Sequence, residues 1–362
     1  MNDQTTWQFY TSTVEAWEAM LASIASATES VDLEQFILSY DSIGIRFLEA
    51  LKERARAGLK VRIFCDEVGS FSLYRANIVH ELEATGIQIK FFNSVIPWNP
   101  NKESLWFFRD HRKLLVIDKK IGFTGGICLG DAMRDWRESS VRIVGPVVSQ
   151  MTEAFEVMWN KSYHLFKYYF KRKKKGIDPE TPNFEYITNA PLPGKRYMYK
   201  ELIRAIKSAK HYIYLTTPYL LPDSRLLRNL KKACKRGLEV RLLVPENTNS
   251  KLVNIGAGTF FKDMLEAGIH IFRFKGPLIH AKTGIIDGKW STIGSLNLDN
   301  LSLRYNFEGN IVSINKEFAF ELERHFLNDL KNAKELTLEE WSKRSYLRRL
   351  LEILVWPLRK LL

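Results

Sequence analysis

His111-Arg112-Lys113-Leu114-Leu115-Val116-Ile117-Asp118 returns later in the chain as His280-Ala281-Lys282-Thr283-Gly284-Ile285-Ile286-Asp287. Both stretches read His-x-Lys-x4-Asp. Each aspartate is followed by six residues and then two small ones, Gly125-Gly126 in the first and Gly294-Ser295 in the second. Histidine is scarce, 7 among 362 residues, so two in one shared frame mark a duplicated functional unit. The apolar run after each lysine reads as a β-strand with the histidine at its mouth. Residues two apart on an extended backbone point to the same side, which sets each imidazole beside an ammonium. That pairing suits a phosphate, and a lysine among would-be ligands speaks against a metal site.

The duplication extends outward. In the first half a helix ends near Ala27, followed by strand Val31–Ile37, a helix through Ala55 and strand Val61–Cys65. In the second a helix ends near Ala209, followed by strand Tyr212–Thr216, helix Ser224–Arg236 and strand Val240–Val244. Ala57-Gly58-Leu59 is answered by Arg236-Gly237-Leu238, and Thr85-Gly86-Ile87 by Ala267-Gly268-Ile269. Strands alternating with helices predict an α/β fold with parallel or mixed sheets covered by helices. Pro179, Pro182, Pro191 and Pro193 mark a linker between the halves. The expected division is a first domain over 1–165, a basic, proline-rich linker over 166–195, a second domain over 196–335 and a C-terminal helix over 336–362.

A net charge of +13 points to a polyanionic partner, either nucleic acid or an anionic membrane surface. Cys65, Cys128 and Cys234 are few and unclustered, which argues against a disulfide framework or a zinc site. No signal peptide and no transmembrane segment is read from the sequence.

Phosphodiester transfer divides into two easier steps if a side chain first attacks phosphorus. One imidazole attacks as the neutral base. A second, protonated, gives its proton to the leaving alkoxide and then takes one from the incoming alcohol or water. The two halves must therefore face each other across a pseudo-twofold axis, with the active site at their interface. Lys113 and Lys282 are expected to hold the non-bridging phosphate oxygens, with Ser295 and Asn297 donating further hydrogen bonds. Gly126 occupies the position matching Ser295. Glu138, 27 residues after His111, and Glu308, 28 after His280, are placed to orient their histidines and raise their pKa. Asp118 and Asp287 complete the catalytic motifs and read as residues that hold the turn.

These motifs resemble the phospholipase D superfamily, and within it bacterial cardiolipin synthases. The resemblance is carried by Phe108–Lys113, Ile121–Gly126, Trp136-Arg137-Glu138, Thr217–Asp223, Ile293–Asp299 and Asn306-Phe307-Glu308. It implies two tandem phospholipase D-like α/β sandwich domains and a metal-free, cofactor-free phosphatidyl transfer. His111 would be the nucleophile and His280 the acid and base. Two phosphatidylglycerol molecules would yield cardiolipin and glycerol. A phospholipase D releasing phosphatidic acid, or a phosphodiesterase or nuclease of the same superfamily, is the alternative. Cys128 departs from the pattern, standing where Asn297 stands in the second half, and a thiol is the poorer donor.

Leu347, Leu350, Leu351, Leu354, Leu358 and Leu361 recur at helical spacing near the C-terminus, with Trp356 among them. Residues 341–362 carry six Lys or Arg against Glu352 alone, a net charge of +5. A basic, Trp-bearing amphipathic helix has the profile of an interfacial anchor. The basic Lys167–Lys175 and the aromatic Trp98–Phe108 are further candidates for lipid contact. The expected partner is an anionic phospholipid membrane containing phosphatidylglycerol and cardiolipin, with no nucleic acid and no obligatory oligomer. The expected place is peripheral, on the cytoplasmic side of the cell membrane.

Overall fold

The computed structural model describes residues 5–93, 108–161, 183–192 and 194–357. The first half contributes strands β1 (Thr6–Ser12), β2 (Ser30–Gln35), β3 (Lys60–Asp66), β4 (Gln88–Phe92), β5 (Lys113–Ile117), β6 (Ile121–Gly125) and β7 (Arg137–Val144). They form one mixed sheet in the order β1-β7-β6-β5-β2-β3-β4. The second half contributes β8 (Phe184–Asn189), β9 (Tyr212–Thr216), β11 (Glu239–Pro245), β12 (His270–Phe274), β13 (Thr283–Ile286), β14 (Trp290–Gly294), β16 (Glu308–Ser313) and β17 (Ala333–Leu336). Their order is β17-β12-β11-β9-β13-β14-β16-β8. Read from its far end, the second sheet repeats the first strand for strand, with β17 added at the edge. Two short strands, β10 (Leu220–Leu221) and β15 (Leu298–Asp299), pair separately.

The pairing sense is duplicated as well. β2, β3 and β4 run parallel and β5 returns antiparallel against β2. β9, β11 and β12 likewise run parallel and β13 returns against β9. The matched glycines show why the sequence repeats there. Gly58 and Gly237 take φ of 88° and 85°, and Gly86 and Gly268 take 94° and 84°. Each ends a helix in the left-handed region, which glycine enters without a Cβ penalty.

Strand alternation sorts the core. Leu115 and Ile117 of β5 join a cluster with Trp17 and Phe47 from the helices Thr13–Ala25 and Ser42–Arg56. Leu114 and Val116, on the other side, join a cluster that also holds Ile285, Ile293 and Ile311 of the second half. The two halves thus share one buried core in addition to their own. Arg137 reinforces it with a bidentate ion pair to Asp329, at 2.8 and 2.6 Å.

The linker reading needs one correction. Residues 184–189 fall inside the expected 166–195 stretch but form β8, the edge strand paired with β16. Proline punctuation drew attention away from the alternating Phe184-Glu185-Tyr186-Ile187-Thr188. The basic run 167–175, the aromatic stretch 98–107 and Pro179, Pro182 and Pro193 lie outside the described residues.

Candidate active site

Lys113 opens β5 and Lys282 immediately precedes β13, so each histidine stands at the mouth of its strand. Two parallel backbone bridges sew the halves together there, Asp110 with Phe307 and Arg137 with Ile279. At the first, Phe307 N–H donates to Arg109 O at 2.9 Å and His111 N–H to Phe307 O at 3.0 Å. At the second, Arg137 N–H donates to Leu278 O at 3.0 Å and His280 N–H to Arg137 O at 2.8 Å. One residue beyond each bridge stand a histidine and a glutamate from opposite halves.

The carboxylates are therefore exchanged. Glu308, from the second half, holds His111, with each of its oxygens 3.0 Å from Nδ1. Glu138, from the first half, accepts from His280 Nδ1. The expectation that each glutamate serves the histidine of its own half is thereby corrected. With Nδ1 facing a carboxylate, Nε2 is the nitrogen each ring turns to chemistry, open on His111 and 3.3 Å from Lys282 Nζ on His280.

Both lysines are buried. Lys113 Nζ donates to His111 O at 2.6 Å and lies 5.1 Å from the Phe36 ring centre. Lys282 Nζ donates to His280 O, lies 2.8 Å from His280 Nδ1 and sits 3.6 Å from Glu138. Aromatic rings wall the imidazoles: Phe36 at 4.9 Å from His111, Trp136 and Tyr219 at 4.7 and 5.9 Å from His280.

Burial dominates the electrostatics. It lowers the pKa of His111 against the pull of Glu308, and Lys113 and Lys282 push the same way as burial. It lowers His280 to about 4, helped by Lys282 and opposed by Glu138. Lys282 itself falls to about 8, again mainly through burial. Burial would raise the two glutamates, but the facing cations hold both below the usual carboxylate range. The glutamates do pull their histidines upward, as expected, yet desolvation and the lysines win.

Ser295 is tied to the carboxylate of the first site. Its hydroxyl donates to Glu308 and accepts the Gly309 N–H at 3.0 Å, so it fixes the carboxylate that fixes His111. Gly126 stands at the matching place, and a Cβ there would come within 2.2 Å of Glu138 Oε2. Glycine makes room for one carboxylate where serine bonds the other. The Asn297 side chain bonds Asp299, which burial pushes up to about 7. Asn297 Oδ1 is buried without a partner. Cys128 lies near Lys113, Lys282 and Glu138, and burial pushes its thiol up, so it stays neutral.

Asp118 and Asp287 sit at the opposite ends of β5 and β13, about 16 Å from the lysines at ordinary strand rise. Both have left-handed backbones, with φ of 51° and 55°. Asp118 accepts the N–H groups of Thr28, Glu29 and Ser30 at 2.9, 2.7 and 2.8 Å. Asp287 accepts those of Lys210, His211 and Tyr212 at 2.7, 2.8 and 2.9 Å. Their inclusion among the catalytic residues is corrected: they clamp a neighbouring strand start, as the turn-holding reading had it.

Comparison with known proteins agrees with this geometry. The family model described as "Cardiolipin synthase, PLD-like domain" matches residues 20–159 and 202–330, one segment in each half. The chain belongs to this family. A cardiolipin synthase of Geobacillus kaustophilus is 31% identical over 93% of this chain and 68% of its own length. One from Clostridium perfringens is 28% identical over 94% of this chain and 73% of its own. The fold is shared with the crystal structure of phosphatidylserine synthase of Haemophilus influenzae, at a TM-score of 0.77 and 12% identity over 98% of this chain. No helix among the described residues of this family member is long and apolar enough to cross a membrane.

Sequence reasoning passed over Arg112. Buried behind the site, it bonds Glu34, Asp110 at 3.4 Å and Ala154 O at 3.3 Å. The second half has Ala281 in its place, and that inequality was the available signal. Phe36 left none beyond its position after β2.

Proposed function

We propose that this chain transfers a phosphatidyl group between lipid alcohols through a phosphohistidine, making cardiolipin and glycerol from two phosphatidylglycerol molecules. The observation that supports it best is the exchanged pair: two buried imidazoles, each held at Nδ1 by a carboxylate from the other half and each beside a lysine. In the first step His111 Nε2 attacks phosphorus, the phosphorus–glycerol oxygen bond breaks, and His280 protonates the departing alkoxide. In the second step a hydroxyl of another phosphatidylglycerol gives its proton to His280 while its oxygen displaces His111. Burial and Lys282 hold His280 low, and the negative charge of a bound phosphodiester would favour its protonated form. The anion would draw the Lys282 ammonium toward its oxygens and away from the ring, restoring proton affinity where the acid is needed.

The burial of the site favours an alcohol over water as acceptor. One observation favours the opposite assignment of the histidines. Lys282 lies 2.8 Å from His280 Nδ1, which disfavours the imidazolium and suits a nucleophile. Rapid quenching in denaturant at alkaline pH, where the phosphorus–nitrogen bond survives, with labelled phosphatidylglycerol and then peptide mass spectrometry, identifies the modified histidine. Product analysis tests the whole reading: phosphatidylglycerol vesicles should yield cardiolipin and glycerol, and His111→Ala should yield neither. Phosphatidic acid alone would make water the acceptor. No lipid product would turn the assignment toward the nuclease. We further propose that the protein works peripherally on the cytoplasmic face of an anionic membrane.

A further inference from the structure

The helix Tyr346–Val355 is docked in reverse. Its charged side turns inward: Glu352 is buried and bonds Arg344 at 3.0 Å and Arg348 at 3.4 Å. The two guanidiniums lie over the Trp341 ring at 4.8 and 5.1 Å. Glu352 reaches the helix Lys251–Glu266 at Gly258, where a Cβ would come within 2.8 Å of its Oε1. The apolar side turns outward, leaving Leu347, Leu350, Ile353 and Leu354 between 54% and 69% exposed and Tyr346 at 86%. A helix folding only for its own domain would bury that face. Contiguous exposed apolar surface of this kind marks a docking site.

We infer that this reversed helix is the surface on which the protein lies against an anionic phospholipid bilayer, leucines inserted and basic residues at headgroup level. The charge selects the occupant. Between residues 343 and 355 four basic residues stand against the buried Glu352, a net charge of +3, with Arg344 and Arg348 paired to that acid, Lys343 paired to Glu339, and Arg349 over the Tyr346 ring. A second copy would bring the same positive charge against it, whereas anionic lipid complements it. Position agrees. The supporting helix is capped by Ser250, and the adjacent Asn249 accepts the hydroxyl of Tyr219, whose ring faces His280. The docking face and the active site are thus joined by one short, hydrogen-bonded segment. The inference rests on the lipid reading of that site but is tested without catalysis.

The full chain is sedimented with vesicles of phosphatidylcholine alone and of phosphatidylcholine with phosphatidylglycerol. Wild type should pellet with the mixed vesicles and not with the neutral ones. Leu347→Glu/Leu350→Glu/Leu354→Glu should bind more than tenfold more weakly, with an unchanged melting temperature. The milder Leu350→Gln/Leu354→Gln should weaken binding in the same direction and guards against misfolding. His111→Ala should pellet as wild type does, so failure of the chemistry and failure of the docking remain separate results. Equal binding of wild type and both leucine variants would overturn the inference. So would equal binding to neutral vesicles, or a wild-type dimer that the leucine substitutions dissociate.

Discussion

Glu308→Gln tests the exchange of carboxylates at its centre. The substitution keeps the shape of the side chain and removes its charge from a position 3.0 Å from His111 Nδ1. A buried hydrogen bond to a charged group is worth about 1.5–3 kcal/mol. At 1.36 kcal/mol per tenfold, that is about a ten- to hundredfold loss of imidazolium stability, or about one to two pH units. The direction follows from the site. Burial already lowers the His111 pKa and Glu308 opposes it, so the variant must move His111 further down. His280 should be far less affected, because its carboxylate is Glu138. Nitrogen-15 NMR titration of the histidine rings reads both groups in one sample, and Glu138→Gln should produce the reverse pattern. If His111 is the nucleophile, the acid limb of kcat/KM should shift to lower pH in Glu308→Gln. Movement of His280 with His111 unchanged, in the Glu308 variant, would refute the exchanged pairing.

Four further outcomes are expected. Arg112→Leu leaves Glu34 and Asp110 without their cation in dry surroundings and should cost about 3–5 kcal/mol in urea unfolding; an unchanged midpoint would remove Arg112 from the site's foundation. Gly126→Ala should keep the fold, as judged by circular dichroism, yet lose at least tenfold in kcat as Glu138 is displaced from His280. Wild-type turnover there would show that the carboxylate position is not critical. Asp118→Ala should lose about 2 kcal/mol at pH 7. The Asp118 pKa is depressed on folding, chiefly by backbone N–H groups working against burial, so its stabilisation exists above the unfolded carboxylate value and fades as pH falls through the folded one. The deficit should therefore shrink near pH 3, and a deficit independent of pH would contradict the clamp. Arg137→Ala leaves the largely buried Asp329 unpaired, at about 3 kcal/mol. Burial raises the Asp329 pKa, so its ionisation opposes folding increasingly as pH rises, and the variant's deficit should be larger at pH 8 than at pH 5.

Much of this was legible because the chain states it twice. The paired His-x-Lys-x4-Asp frames, the matched glycines and the alternation of strands and helices defined a duplicated α/β fold, and each repeat has a local cause. Strand β8 was missed because prolines on either side outweighed a short alternating run. The exchanged carboxylates were missed for a different reason. Nothing within 28 residues of His280 tells that Glu308 will bond the other histidine, since the backbone bridge Asp110–Phe307 exists only after both halves dock. The Arg137–Asp329 pair is silent for the same reason. The bond from Ser295 to Glu308 is silent in the sequence too, because it depends on where the carboxylate comes to lie after folding.

The exchange also bears on how a duplicated protein comes to divide labour between equivalent residues. Two-step transfer needs one imidazole neutral and the other charged at the same moment, so perfect symmetry would be a handicap. The backbone bridges keep the symmetric part, placing one histidine against one carboxylate twice. The surroundings then differ. Glu308 accepts from the Ser295 hydroxyl, while Glu138, packed against the bare Gly126, accepts from the Ser139 N–H at 2.9 Å and lies 3.6 Å from Lys282. Arg112 stands in the first motif where Ala281 stands in the second, and Cys128, near Lys113 and Lys282, takes the place that Asn297 holds in the second half. Each difference alters charge or donor strength in the motif that carries an imidazole. The fold fixes where the two imidazoles stand, and these few unequal neighbours are what can make one hold a proton while the other attacks.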